Sequence, residues 1–231
     1  MTDSTLTATT ELHRWTRATF ERLGELGVFT DTRVELLDGY ILTMSPQSSR
    51  HALAIRKIES ELRARLPTGH EVRSQMPLAL DRYSEPEPDV AVVDGQMDDY
   101  RDAHPRTALL VVEVAYSSTE RDQGLKKLLY ARNQIPEYWI VNLETACLEV
   151  YRRPREGDYA QSLILRAGEQ VQFVLDDKRG TGRRGPALPV DAEESARLLL
   201  PREHRELVDR ADQQRRRIGI DGLIDDIGRD A

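Results

Sequence analysis

The chain has 231 residues, 39% hydrophobic and 32% charged, with a formal net charge of −7 at pH 7. That length and apolar content can bury a core in one large domain, or in a domain with an appendage. The acidic balance excludes a protein that coats nucleic acid through general cationic contact, but not an enzyme that meets phosphate through one local basic face. Residues 1–9 are polar and Thr-rich and read as disordered. They lack the hydrophobic region of a signal peptide, and no apolar run approaches ~18 residues, so a cytoplasmic protein is expected. The single cysteine, Cys147, falls in a strand-like segment and reads as a buried, inert thiol.

Thr10 is a candidate cap for a helix running to about Leu26, with Leu12, Trp15, Phe20, Leu23 and Leu26 as an imperfect apolar stripe. Arg33 to Met44 reads as a hairpin turning at Asp38-Gly39. After Ser45-Pro46, a helix is expected from about Ser48 to Leu66, ended by Pro67 and Gly69. Strands follow at 71–80, 89–93 and 109–115, with a polar loop at 94–107. Ser117 and Glu120 have capping-box spacing for a helix to about Asn133, which Pro136 stops. Strand-like runs recur at 138–142, 148–152, 159–165 and 171–174, and 177–186 is a Gly/Arg-rich loop. From Asp191 to Ala231 the composition becomes charged and helix-prone. The expected organisation is a disordered 1–9, a domain at 10–190 and a helical tail at 191–231. The order of elements is α+β, helices around a mixed sheet.

The chemistry concentrates in three residues. Asp89 and Glu113 each interrupt an apolar, β-branched run, where a charge is costly unless paired or metal-bound. Their separation of 24 positions allows a loop joining two neighbouring strands. Two carboxylates in one small volume repel, and a divalent cation relieves that; hard oxygen donors suit Mg²⁺ or Mn²⁺, and the Val114 carbonyl is a possible further ligand. Lys126 shares a helical face with Asp122 and Tyr130, while Leu125, Leu128 and Leu129 are expected to face the core. A lysine aimed at the metal could orient an attacking water or stabilise charge developing on phosphorus. Glu35 could face core or solvent, and His51 opens a helix from which it could reach phosphate or the edge of the site.

Five motifs in order resemble a known family: Val34-Glu35-Leu36-Leu37-Asp38-Gly39; Pro88-Asp89-Val90-Ala91-Val92-Val93; Val111-Val112-Glu113-Val114 followed by Ser117-Ser118-Thr119; Asp122 to Lys126 with Tyr130; and Pro136-Glu137-Tyr138-Trp139-Ile140-Val141. Over roughly residues 12–190 they are similar to the Uma-two family of restriction-endonuclease-like proteins, within the PD-(D/E)XK nuclease superfamily. The resemblance implies a restriction-endonuclease-like core and a metal-dependent phosphodiesterase site. Asp89 and Glu113 would be the metal acids, Lys126 the catalytic lysine and Glu35 an additional acid. The substrate would be nucleic acid, with DNA the expected form, and the assembly a homodimer. Where the superfamily usually carries its lysine, two residues after the second acid, this chain has Ala115, and Lys126 on the following helix takes its place. The family's usual aspartate after the Glu-Tyr-Trp strand is Asn142 here.

Bland readings stand beside these. Asp89 could simply end a loop, Glu113 could be a buried acid paired with arginine, and Glu35 could pair with Arg33. Tyr130 and Trp139 read as core aromatics, and Arg215-Arg216-Arg217 as part of a solvated helix. A catalytically inactive binding module of the same fold, and a metal hydrolase of small phosphoesters, are the competing functions.

Overall fold

The computed structural model describes residues 12–115, 121–166, 169–175 and 183–189. The charged tail at 191–231 and the Ser117/Glu120 capping box lie outside the described residues. The described part is α+β, a mixed sheet flanked by helices, with six strands in the order β3-β4-β5-β6-β7-β8. These are β3 (His70–Ser74), β4 (Val90–Asp94), β5 (Leu110–Ala115), β6 (Glu137–Asn142), β7 (Cys147–Arg155) and β8 (Asp158–Leu165). Neighbours pair antiparallel except β5 and β6, which are parallel. A parallel pair needs a crossover, and the chain supplies it with a helical segment ending in α3 (Lys127–Arg132).

The alternation of side chains along β4 and β5 splits the core into two layers. Val90, Val92, Val112 and Val114 face α2 (Ser49–Arg65), which contributes Ile55 and Leu62. Ala91, Val93, Val111 and Ala115 face the opposite way, towards Tyr130 of α3, with Tyr138 and Ile140 of β6. Both faces being covered explains why β4 and β5 read as continuous apolar runs. Ser48 caps α2 by accepting from His51 N at 3.3 Å. The antiparallel pair β9 (Gln170–Leu175) and β10 (Arg183–Pro189) stands outside the main sheet, and Val171 and Phe173 join the α2-side core.

The hairpin forms as expected, with β1 (Val34–Leu37) and β2 (Tyr40–Thr43) in register. Asp38 and Gly39 take φ of 51° and 85°, the positive pair that matches strand twist in a two-residue turn. Several expectations need correction. The first helix, α1 (Arg17–Glu25), starts after Thr16, which caps it, because Trp15 N is drawn to Gly39 O at 2.8 Å; Leu12 and Leu26 are exposed. The strand expected at 71–80 ends at Ser74, where Gln75 takes a φ of 54°. The polar loop at 94–107 contains a 3₁₀ turn, Met97–Tyr100. Part of the expected Gly/Arg loop is strand β10. Cys147 is half-buried rather than buried. Leu128 is exposed and Leu125 half-buried, leaving Leu129 as the core leucine of that helix. No helix among the described residues is long and apolar enough to cross a membrane.

Candidate active site

Asp89 is the residue before β4. Continuing the Val90↔Val112 register by one residue sets it opposite Glu113, on the same face of the sheet. Past the end of that ladder, Val114 N donates to Asp89 Oδ2 at 2.8 Å. The carboxylate thus takes the place of a backbone acceptor and is fixed at the strand end. His51, in the first turn of α2, stands 3.1 Å from the same oxygen through Nε2. Burial disfavours the charged imidazole, but the Asp89 hydrogen bond and charge, the Val114 carbonyl and Asp122 outweigh it and raise its pKa. His51 Nδ1 is buried and has no hydrogen-bond partner among the described residues.

Glu113 is 4% exposed and Lys126 likewise 4%. The Lys126 Nζ lies 3.0 Å from Glu113 Oε1 and 3.2 Å from Glu35 Oε2. Tyr130 OH donates to the same Glu113 oxygen at 2.9 Å. Arg121 approaches the other oxygen of Glu35 at 3.8 Å, and Glu87 N donates to Glu35 Oε2 at 3.3 Å. Burial, the largest cause, pushes the Glu113 carboxyl well above the usual carboxylate range; Lys126 pulls it down, and Asp122, Asp89 and Glu35 push it further up. Burial opposes the ammonium of Lys126, but Glu113, Glu35 and Asp122 prevail and hold it charged.

Lys126 reaches this position through an irregular turn. Asp122–Lys126 is a π-helix that passes into α3. Such turns are rare, because their hydrogen bonds skip a residue, and they cluster at functional sites. The side chain of Gln123 in this turn is gripped by Glu149 of β7, Nε2 to Oε1 at 2.8 Å and to Oε2 at 2.9 Å. Tyr151 OH also donates to Glu149, at 2.7 Å. Tyr138 OH donates to the Asp122 carbonyl at 3.1 Å. Lys127 points elsewhere, pairing with Asp158 at 2.9 Å, so Lys126 is the lysine aimed at the acids.

The family profile Uma2, described as "Putative restriction endonuclease", matches residues 17–176. The chain belongs to the Uma2 family. Its fold is similar to that of a solved structure described as a putative nuclease of DUF820 from Anabaena variabilis. The TM-score is 0.54 and the identity 12%, over 74% of this chain and 93% of that one. At that identity the likeness speaks for the fold. No curated protein sequence matches.

In this Uma2 chain the structure brings together all four acids and bases singled out from the sequence: Asp89, Glu113, Lys126 and Glu35. Glu35 is 1% exposed and faces inward, and its partner is Lys126 rather than Arg33, which pairs with Glu87. Glu113 is paired with a lysine and a tyrosine, not an arginine. Val114 is present through both its N–H and its carbonyl. His51 joins the group more closely than a surface or capping histidine would. Glu149 and Gln123 escaped the sequence reading. A glutamate in the apolar run Leu148-Glu149-Val150 was the available signal, of the same kind that marked Glu113. Asn142, at the family's aspartate position, holds the β6–β7 turn by accepting from Glu144 N and Thr145 N, each at 3.1 Å.

Proposed function

We propose that this Uma2 protein is a metal-dependent endonuclease that hydrolyses phosphodiester bonds of nucleic acid, with DNA as the substrate. The observation that carries the reading is Lys126 Nζ, buried 3.0 Å from Glu113 and 3.2 Å from Glu35, beside an acid pair set in register across two strands. A buried lysine bordered by acids in a nuclease family has a chemical use that a solvated one lacks.

The donor chemistry fits Mg²⁺ or Mn²⁺. Asp89, Glu113 and the Val114 carbonyl are hard oxygen donors, and both the burial that chiefly raises Glu113 and the smaller push from Asp122, Asp89 and Glu35 are costs that a bound divalent ion offsets. Asp89 and Glu113 would hold the ion with the Val114 carbonyl. When bound, such an ion supplies charge neutralisation and an acidified water. Lys126 is suited to orient that water or to stabilise charge gathering on the phosphoryl oxygens. Glu35 and Tyr130 keep the ammonium and the Glu113 carboxylate in place. Hydrolysis forms one bond from water oxygen to phosphorus and breaks one from phosphorus to the leaving oxygen, which takes up a proton. A homodimer, as expected from the resemblance, belongs to this proposal, and light scattering tests it.

A second reading is favoured by one observation. Among the described residues, no three His, Cys, Asp or Glu side chains stand together as a ready metal cage. Glu113 Oε1 and Asp89 Oδ2 are instead held by protein donors. This pattern suits a nuclease fold kept as a binding module. Titration of Mg²⁺ and Mn²⁺ into the wild type and Asp89→Asn, paired with cleavage assays on single-stranded, duplex and branched DNA and on RNA, separates the two. The nuclease reading expects metal binding that Asp89→Asn weakens at least tenfold, and cleavage that requires the metal. Equal metal affinity in both proteins removes Asp89 from the site, and no binding in the wild type supports the binding module.

A further inference from the structure

A cavity lies away from the acids. It has a volume of about 480 Å³ and is lined by Arg17, Arg82 and Arg106, with Asp81, Ala79 and Thr16 among its other walls. Asp81 Oδ2 accepts from Asn133 Nδ2 at 3.0 Å, just past the end of α3, whereas Lys126 stands just before its start. The seven positions between them span about 10 Å along a helix, so the cavity is at the far end of the α3 layer from the acid cluster.

Its charges are unbalanced. Asp81 is the one carboxylate on the wall, and both its oxygens are engaged, Oδ1 by Tyr83 N at 2.7 Å and Oδ2 by Asn133. Arg17 is partly committed, to the Asp81 carbonyl at 3.1 Å and to Glu21 at 2.8 Å. The side chains of Arg82 and Arg106 make no hydrogen bond or ion pair among the described residues; the Arg82 guanidinium rests 5.4 Å from the Tyr83 ring centre.

The segments carrying the arginines are tied to one another. Arg17 N donates to Arg82 O at 2.7 Å, and Ala79 N to Pro105 O at 2.8 Å, next to Arg106. The guanidinium groups are therefore brought to one concavity by hydrogen-bonded backbone from three separate parts of the chain. Arg82 and Arg106 are exposed on a wall whose carboxylate, Asp81, already has both oxygens engaged, so an anion entering the cavity meets guanidinium donors for which that acid does not compete. The planar donor forks of arginine match a tetrahedral oxyanion in paired hydrogen bonds. The volume is within the roughly 300–1,000 Å³ of small-ligand sites.

We propose that this cavity binds a phosphate group, as the free ion or as a phosphate monoester, through Arg82 and Arg106 with Arg17 assisting. The monoester can be a small molecule or the terminal phosphate of a nucleic acid strand. The site does not depend on the acid cluster. The test is calorimetric titration of the full chain in metal-free, chelator-containing buffer. The ligands are inorganic phosphate, a nucleoside 5′-monophosphate, its parent nucleoside, and one oligonucleotide with and without a 5′-phosphate. Saturable binding of phosphate and the monophosphate, but not of the nucleoside, is expected. Arg82→Gln with Arg106→Gln should weaken it at least tenfold, and Arg82→Lys with Arg106→Lys should retain part. Tighter binding of the 5′-phosphorylated oligonucleotide than of the monophosphate supports the site and assigns it to strand ends. Equal or weaker binding supports it for small esters. Absence of saturable phosphate binding in the wild type overturns the proposal. So does equal affinity in the double glutamine variant.

Discussion

Replacing Lys126 by methionine removes a cation from between two acids that water hardly reaches. Glu35 is 1% exposed and Glu113 4%, and Lys126 Nζ is 3.2 Å and 3.0 Å from them. Removing one partner of a buried pair leaves an uncompensated charge and costs about 3–5 kcal/mol. In a domain of this size each kcal/mol lowers Tm by roughly 2–4 °C, so a fall of about 6–20 °C is expected near pH 7. The pH dependence is more diagnostic. Burial already raises Glu113 in the folded protein, and without Lys126 it rises further. A carboxyl with a raised folded pKa holds its proton longer when folded than when unfolded. Its favourable contribution is complete below the unfolded pKa, about 4.3, and is lost as pH climbs through the folded value. Lys126→Met should therefore lose stability between pH 5 and 8, by up to about 1.4 kcal/mol per pH unit for each retained proton, more steeply than the wild type. Adding Glu113→Gln should restore much of the loss and flatten the slope. Thermal melts from pH 5 to 8 on the three proteins provide the measurement. A Lys126→Met variant as stable as wild type, with an unchanged pH profile, would refute the buried ion pair and the role built on it.

Tyr130→Phe keeps the ring but removes the 2.9 Å bond to Glu113; a loss of about 1.5–3 kcal/mol is expected in denaturant melts, since the acceptor is charged. Gly39→Ala would set a Cβ 2.7 Å from Arg14 Cβ at a φ of +85°, so a loss of more than about 1 kcal/mol is expected; an unchanged denaturation midpoint would count against the turn geometry. Glu85 has its pKa raised to about 7, first by burial and then by its hydrogen bond to and the charge of Glu21. Its contribution is present below the unfolded pKa and lost as pH rises through about 7, so Glu85→Gln should raise stability at pH 8, by on the order of 1 kcal/mol after allowing for solvent screening, and change little at pH 5. A Glu85→Gln melt that parallels wild type at both pH values would show that Glu85 ionises normally.

The sequence by itself determined the elements whose signals are local. Asp38-Gly39 set the hairpin turn, Ser48 and Pro67 bounded α2, and the valine runs marked β4 and β5 because covered strands leave no polar face. It also marked Asp89 and Glu113, since carboxylates in such runs stand out against the cost of burying charge, and the order of the motifs selected Lys126. Tertiary structure decided what depended on distant partners. Trp15 joins Gly39, so α1 begins late. Gln75 turns β3 off early. Which face Glu35 would take was undecidable from a strand that alternates either way, and the choice was made by Lys126 arriving from a segment ninety residues on. The π-turn that delivers this lysine is held by Glu149 gripping Gln123 and by Tyr138 on the Asp122 carbonyl. These contacts run between the crossover segment and the strands β6 and β7 beneath it, and no local pattern encodes them. The arginine-lined cavity is of the same kind, since Arg17, Arg82 and Arg106 become neighbours only when three separated segments exchange backbone hydrogen bonds.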